Sequence, residues 1–153
     1  MRALVLPALA VLFASGISYK GCAPPGVNAL PPLAVELHVS RALIPPGGET
    51  AFSLIVTNRA ETPAKLDFPT GQTYDFIVLG GDQEAWRWSY DRAFTQAFHS
   101  LALDPGESVS YQETWEARDN AGKAVAPGDY SVIGVLTSLP EQRAGPLTIT
   151  VAR

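Results

Sequence analysis

The chain has 153 residues with 15 acidic and 11 basic side chains, a formal charge of −4 that argues against a polyanion partner such as nucleic acid. Its 46% hydrophobic and 17% charged content supplies apolar surface for one core and rules out disorder over most of the length. A single cysteine, Cys22, excludes an intrachain disulfide, a zinc site of several thiolates and a CxxC redox pair.

Residues 1–20 place Arg2 before an uncharged, mostly apolar stretch from Ala3 to Ile17, the layout of an export signal. The stretch is shorter than the about 20 residues of a membrane span, and Pro7 interrupts a helix. Two outcomes stay open: cleavage near Ala14-Ser15-Gly16, or cleavage after Gly21 with a lipid on Cys22, although Tyr19 and Lys20 depart from the usual lipobox. Either one implies an extracytoplasmic protein, secreted or anchored to the cell envelope, with membrane contact only through Cys22. Residues 22–32 are Pro-rich without hydrophobic period and read as an extended tether. The organisation expected is therefore signal 1–21, tether 22–32 and folded domain 33–153.

From Leu33 onward, apolar and polar residues alternate in short runs between Pro, Gly, Asn and Asp clusters, which is the pattern of half-buried strands. Val35, Leu37 and Val39 share one face of the first run, opposite Glu36, His38 and Ser40, and the run stops at Ile44-Pro45-Pro46-Gly47-Gly48. Phe52, Leu54 and Val56 repeat the pattern before Asn58, as do Leu66 and Phe68 before Pro69-Thr70-Gly71. Further strands are expected over residues 74–79 and 85–89. After a less regular stretch, Leu101 and Leu103 lead into the turn Asp104-Pro105-Gly106-Glu107, where proline presets φ and glycine tolerates positive φ. Over residues 108–115, Val109, Tyr111, Glu113 and Trp115 fall on one side, so Glu113 must lie near the rim or be paired. Asp119-Asn120-Ala121-Gly122 forms another turn. Pro127-Gly128-Asp129-Tyr130 then precedes Val132, Gly134 and Leu136, and Leu147, Ile149 and Val151 close the domain. Tyr130, just after a turn, fits a tyrosine corner. Many short strands and no amphipathic helix of three turns predict an all-β fold, an immunoglobulin-like antiparallel β-sandwich, with a closed barrel as the rival.

The densest cluster is Trp86-Arg87-Trp88-Ser89-Tyr90-Asp91-Arg92-Ala93-Phe94. In a strand Trp86 and Trp88 face one way, as core residues. Tyr90, Arg92 and Phe94 follow on a connection, where aromatic and Arg side chains serve as protein-binding anchors. His38 and His99 stand in no HExxH pattern and read as polar-face strand residues, so no metal or cofactor is expected. No GxSxG is present, Gly47-Gly48 and Gly80-Gly81 lack a P-loop lysine, and the acidic turns at Asp82 and Asp119 lack EF-hand spacing. No catalytic residue is assigned, and the chain does not read as an enzyme.

Phe68-Pro69-Thr70-Gly71-Gln72, Tyr74-Asp75-Phe76, Trp86-Arg87-Trp88-Ser89 and Phe94-Thr95-Gln96 occur in that order. Asn58 precedes them, and Leu103-Asp104-Pro105-Gly106-Glu107, Trp115 and Pro127-Gly128-Asp129-Tyr130 follow. In these blocks the chain resembles the BsuPI-type intracellular proteinase inhibitor family. The resemblance implies a β-sandwich whose named member inhibits a serine proteinase of the subtilisin type. Phe68, Gly71, Tyr74, Asp75, Phe76, Trp86, Trp88, Ser89, Gln96, Trp115 and Tyr130 are its motif positions, read as structural. A sandwich inhibits a protease by presenting an extended loop to the cleft. The candidate loops are residues 69–73, 90–95 and 139–145, the second being preferred for Tyr90, Arg92 and Phe94. The alternative is a non-inhibitory binding or assembly module holding another envelope protein.

Overall fold

The structure is a computed structural model that describes residues 32–153. The export signal, Cys22 and nearly all of the Pro-rich tether lie outside the described residues. Period-two patterning governs what is described. Along β3 (Thr50–Asn58) every second residue, from Thr50 through Phe52, Leu54 and Val56 to Asn58, is buried.

β3 is the centre of a three-stranded sheet, between β1 (Leu33–Val39) and β8 (Ser108–Trp115). A five-stranded sheet runs in the order β2 (Leu43–Ile44), β10 (Gln142–Val151), β9 (Gly128–Leu136), β5 (Tyr74–Gly80), β6 (Gln83–Arg87). β4 (Ala64–Phe68) and β7 (His99–Leu103) form a separate pair. No helix occurs among the described residues. Leu37, Phe52, Leu54 and Trp115 of the first sheet share one core with Ile44, Phe76, Val78, Val132, Leu136 and Ile149 of the second and with Leu66, Phe68 and Leu103 of the pair. The fold is therefore a β-sandwich. The sheets meet closely at Gly134, where a Cβ would lie 2.7 Å from a Leu54 methyl and 3.2 Å from one of Leu37.

Several expectations are corrected. The sheets are not wholly antiparallel, because β2 pairs in parallel with β10. The chain leaves β1 and crosses to the other sheet, where the Ala42 carbonyl accepts from the Thr150 amide (2.7 Å). The strand expected over residues 85–89 is Gln83–Arg87. A bulge opposite Val78 and Leu79 shifts its register, and successive turns, Tyr90 N–H to Arg87 O and Arg92 N–H to Ser89 O, end it before Trp88. The loop expected over residues 139–145 is shorter, since Gln142, Arg143 and Ala144 already pair with Leu136, Val135 and Gly134. The irregular stretch before Leu101 contains the start of β7 at His99.

Two side chains tie the ends of strands. Asn58, fully buried, donates to the carbonyls of Thr62 and Leu103 (both 2.9 Å) and accepts from Ala60 N–H. The Tyr130 hydroxyl donates to the Ala126 carbonyl (2.7 Å), closing the tyrosine corner that its position after a turn suggested.

Candidate functional site

The motif Tyr74-Asp75-Phe76 alternates across β5. Phe76 enters the core, while Asp75, 3% exposed, is buried on the opposite face. A buried carboxylate requires donors, and Asp75 has them: the amides of Phe76 (2.9 Å) and Ser89 (3.2 Å), the Ser89 hydroxyl (2.6 Å) and Arg87 Nη1 (3.1 Å). Arg87 also reaches Glu84 at 2.7 Å, and this hydrogen bond holds the Glu84 carboxyl below its ordinary range. The two motif blocks are thus one network that fixes where the chain turns after β6.

On the sandwich side of β5, Tyr74 lies between two aromatic rings. Its centroid is 4.4 Å from that of Trp88 and 4.6 Å from that of Tyr111 on β8, both stacked. Its hydroxyl donates to Glu113 Oε1 at 2.6 Å, which is the pairing that an acidic residue on the inward face of β8 needed. Burial first, then the hydrogen bond to Glu113, pushes the Tyr74 phenol well above its ordinary range; burial does the same to Tyr111.

This ladder ends at the connection between β6 and β7. Arg92 lays its guanidinium carbon 4.4 Å from the Trp88 ring centre and donates from Nε to the Trp88 carbonyl (3.0 Å). Phe94 packs on the same ring with centroids 5.8 Å apart. Tyr90 stands 62% exposed, so Arg92 and Phe94 gather on Trp88 while Tyr90 points to solvent. Gln96 reaches only the Phe94 carbonyl, at 3.5 Å. Trp86 is half-buried against the core near Phe52, and Trp115 is fully buried with its indole N–H on the Arg118 carbonyl (2.7 Å).

The three candidate loops converge. Gly71 N–H donates to Thr95 O (2.9 Å), and a Cβ at Gly71 would meet Thr95 Oγ1. Thr137 donates from its amide to Thr73 O (3.0 Å) and from its hydroxyl to Gln72 O (2.7 Å). Leu139 N–H donates to Asp67 O (2.8 Å). Residues 69–73 therefore touch the second loop at Thr95 and, at Thr137, the end of the strand that leads into the third. The sequence reading omitted Phe98, which is 61% exposed just before β7, and Leu139 of the third loop is 58% exposed.

His38 and His99 lie on strands of different sheets, and only His99 borders the connection that carries Arg92, Phe94 and Phe98. His38 on β1 lies 3.7 Å from Glu36, and His99 on β7 stacks on Phe68 at 4.9 Å. No group of three or more His, Cys, Asp or Glu residues able to hold a metal occurs among the described residues.

The model of a family described as intracellular proteinase inhibitor, BsuPI, matches residues 37–141. No curated protein matches the chain. Among solved structures, a β-glucosidase from Erythrobacter marinus is 19% identical with a TM-score of 0.47, over 78% of this chain and 15% of that one. A sporulation control protein from Bacillus subtilis is 15% identical with a TM-score of 0.48, over 79% and 49%. A CARDB domain from Pyrococcus furiosus, solved with di-metal ions, is 12% identical with a TM-score of 0.47, over 83% and 98%. The chain thus spans well under half of the β-glucosidase, and at this level of likeness none of these activities transfers. The family description overturns one expectation: an intracellular inhibitor conflicts with the extracytoplasmic location inferred from residues 1–20. An apolar leader-like stretch is a compositional pattern, and here the family match outweighs it. With the match covering most of its length and the motif blocks in place, the chain belongs to the BsuPI intracellular proteinase inhibitor family.

Proposed function

We propose that the chain binds and inhibits a serine protease of the subtilisin type through the surface segment of residues 90–98. The observation that supports this reading is a segment that is exposed yet restrained. Arg92 and Phe94 rest on Trp88, Thr95 O holds the Gly71 amide, and His99 stacks on Phe68 where the segment enters β7. Restraint before binding reduces the ordering cost of association, so the segment docks in the conformation it already has. Main-chain groups of an extended segment then pair with the protease cleft in the manner of an added strand. Among the described residues the large exposed apolar side chains are Leu43 on β2 and Tyr90, Phe98 and Leu139 on connections, and their confinement mostly to connections suits loop insertion better than docking of a broad flat face. We also read the sandwich as immunoglobulin-like, supported by the Tyr130 corner, and take residues 33–153 as one functional unit.

The test is inhibition by the purified chain of a panel of subtilisin-type and other serine proteases, with intact mass followed to detect nicking. Inhibition with no cleavage, or one cleavage within residues 90–98, supports the reading. A folded chain that inhibits none of them replaces it with a non-inhibitory protein-binding module.

A further inference from the structure

We propose that Phe98 is the side chain this surface offers to the specificity pocket, so that the target is a protease whose pocket is apolar. This deepens the inhibitory reading above and rests on it. The large side chains between Trp88 and His99 divide by what holds them. Arg92 is tied twice to Trp88, through its guanidinium on the ring and its Nε on the carbonyl, and would lose both contacts on entering a pocket. Phe94 is half-buried on the same indole. Arg92 and Phe94 are therefore positioning residues. Tyr90 lies within the turns that end β6, tied by its amide to Arg87 O, and its neighbours are not extended. Phe98 alone is an aromatic side chain that is both exposed, at 61%, and outside those turns, directly before β7.

Its backbone leads straight into a paired strand. His99, the next residue, stacks on Phe68 and opens β7, so the chain at Phe98 cannot swing freely. The direction of the side chain follows from register. Leu103 is buried and His99 and Leu101 are half-buried, whereas Ser100 and Ala102 are exposed, which places Phe98 on the outward face. Phe94, four residues earlier, faces inward, so the alternation slips between the two and turns Phe98 out rather than in. β7 also leaves an edge free, because among the described residues it pairs with β4 alone. Its sequence, His99-Ser100-Leu101-Ala102-Leu103, carries no Lys or Pro to blunt that edge. A protease strand paired along it would bring Phe98 to the start of the paired stretch.

The experiment compares the full chain with Phe98→Ala and Phe98→Arg against a subtilisin-type protease with an apolar pocket and a trypsin-type protease with an acidic one. Thermal unfolding serves as the fold control, and both variants are expected to match wild type because Phe98 is exposed. Phe98→Ala is expected to weaken inhibition of the apolar-pocket enzyme by about 30-fold or more, the effect of truncating a central anchor. Phe98→Arg is expected to lose that enzyme and gain the trypsin-type one. If wild type inhibits and Phe98→Ala inhibits equally well, the assignment of Phe98 is overturned while inhibition stands. If wild type inhibits neither enzyme nor any of the wider panel, both fall together.

Discussion

Arg92 holds Trp88 at two points, its guanidinium carbon 4.4 Å from the ring centre and its Nε 3.0 Å from the backbone carbonyl of the same residue. A cation on the exposed face of a half-buried indole closes the aromatic ladder that runs from Tyr111 through Tyr74 to Trp88. The ladder is what joins the three-stranded sheet to the connection bearing Phe98.

Removing the cation tests that relationship. Arg92→Ala should cost only about 0.5–1 kcal/mol of stability, the scale of an exposed cation–π contact. Its effect on inhibition should be larger than its effect on Tm, because the segment loses its anchor while the core is untouched. Parallel measurement of Ki and thermal unfolding separates the two. Arg92→Lys keeps the charge but not the planar stack or the Nε bond, and should restore only part of the loss.

Asp75 offers a stability prediction of a different size. Asp75→Ala strips the partner from Arg87 Nη1, the Ser89 hydroxyl and two amides at once. Breaking a buried charged network in this way should cost about 3 kcal/mol, read as a lower urea midpoint with unchanged slope. Arg87→Ala should cost less, since Asp75 keeps Ser89 and the Phe76 amide. A double-mutant cycle between Asp75 and Arg87 measures the coupling.

The contact between Gly71 and Thr95 predicts a rescue. Gly71→Ala puts a methyl against Thr95 Oγ1, so the threonine must rotate or the segment must lift, at about 1 kcal/mol. Adding Thr95→Ala removes the obstructing oxygen and should return both stability and inhibition toward wild type. Failure of the second change to rescue the first would show that the two loops are not in contact in solution.

The buried phenols set an alkaline limit. Tyr74 and Tyr111 have folded values raised above the ordinary value of about 10, by burial in each case, with Glu113 adding to the effect on Tyr74. A raised folded value favours the neutral phenol in the fold. That contribution is whole below pH ~10 and is lost as pH rises toward the folded values. Thermal unfolding temperature should therefore fall above pH ~10, and the fall should be shallower for Tyr74→Phe, which keeps the stack and removes one ionising group. Phenolate absorbance recorded with the melts identifies the tyrosines that titrate only on unfolding.

Much of the sandwich was legible because period two is a property of adjacent residues. Phe52, Leu54 and Val56 announced β3, and Val132, Gly134 and Leu136 announced β9, with no knowledge of their partners. β2 was not legible: Leu43 and Ile44 are too short a run to show a period, and only the distant β10 makes them a strand. The end of β6 was hidden for a related reason, since Trp88 continues the alternation while its amide still reaches Phe76 O, yet the backbone has begun to turn. At the site, Trp88, Arg92 and Phe94 stood out by composition. Phe98 did not, because it lies where the alternation slips between one inward face and the next. The only signal for it was an aromatic residue in a stretch without period.

The parallel pairing of β2 with β10 has a consequence for synthesis. β10 lies between β2 and β9 in the sheet, but it follows both of them in the chain. While the ribosome has not yet delivered Gln142–Val151, β2 has no neighbour and one edge of β9 is bare. The match to the family stops at residue 141, just short of this strand. A nascent chain therefore carries its whole family signature before it can complete its sheet. Closure of the five-stranded sheet is thus the last event the chain can complete, with β2 left to wait for a partner made about a hundred residues after it.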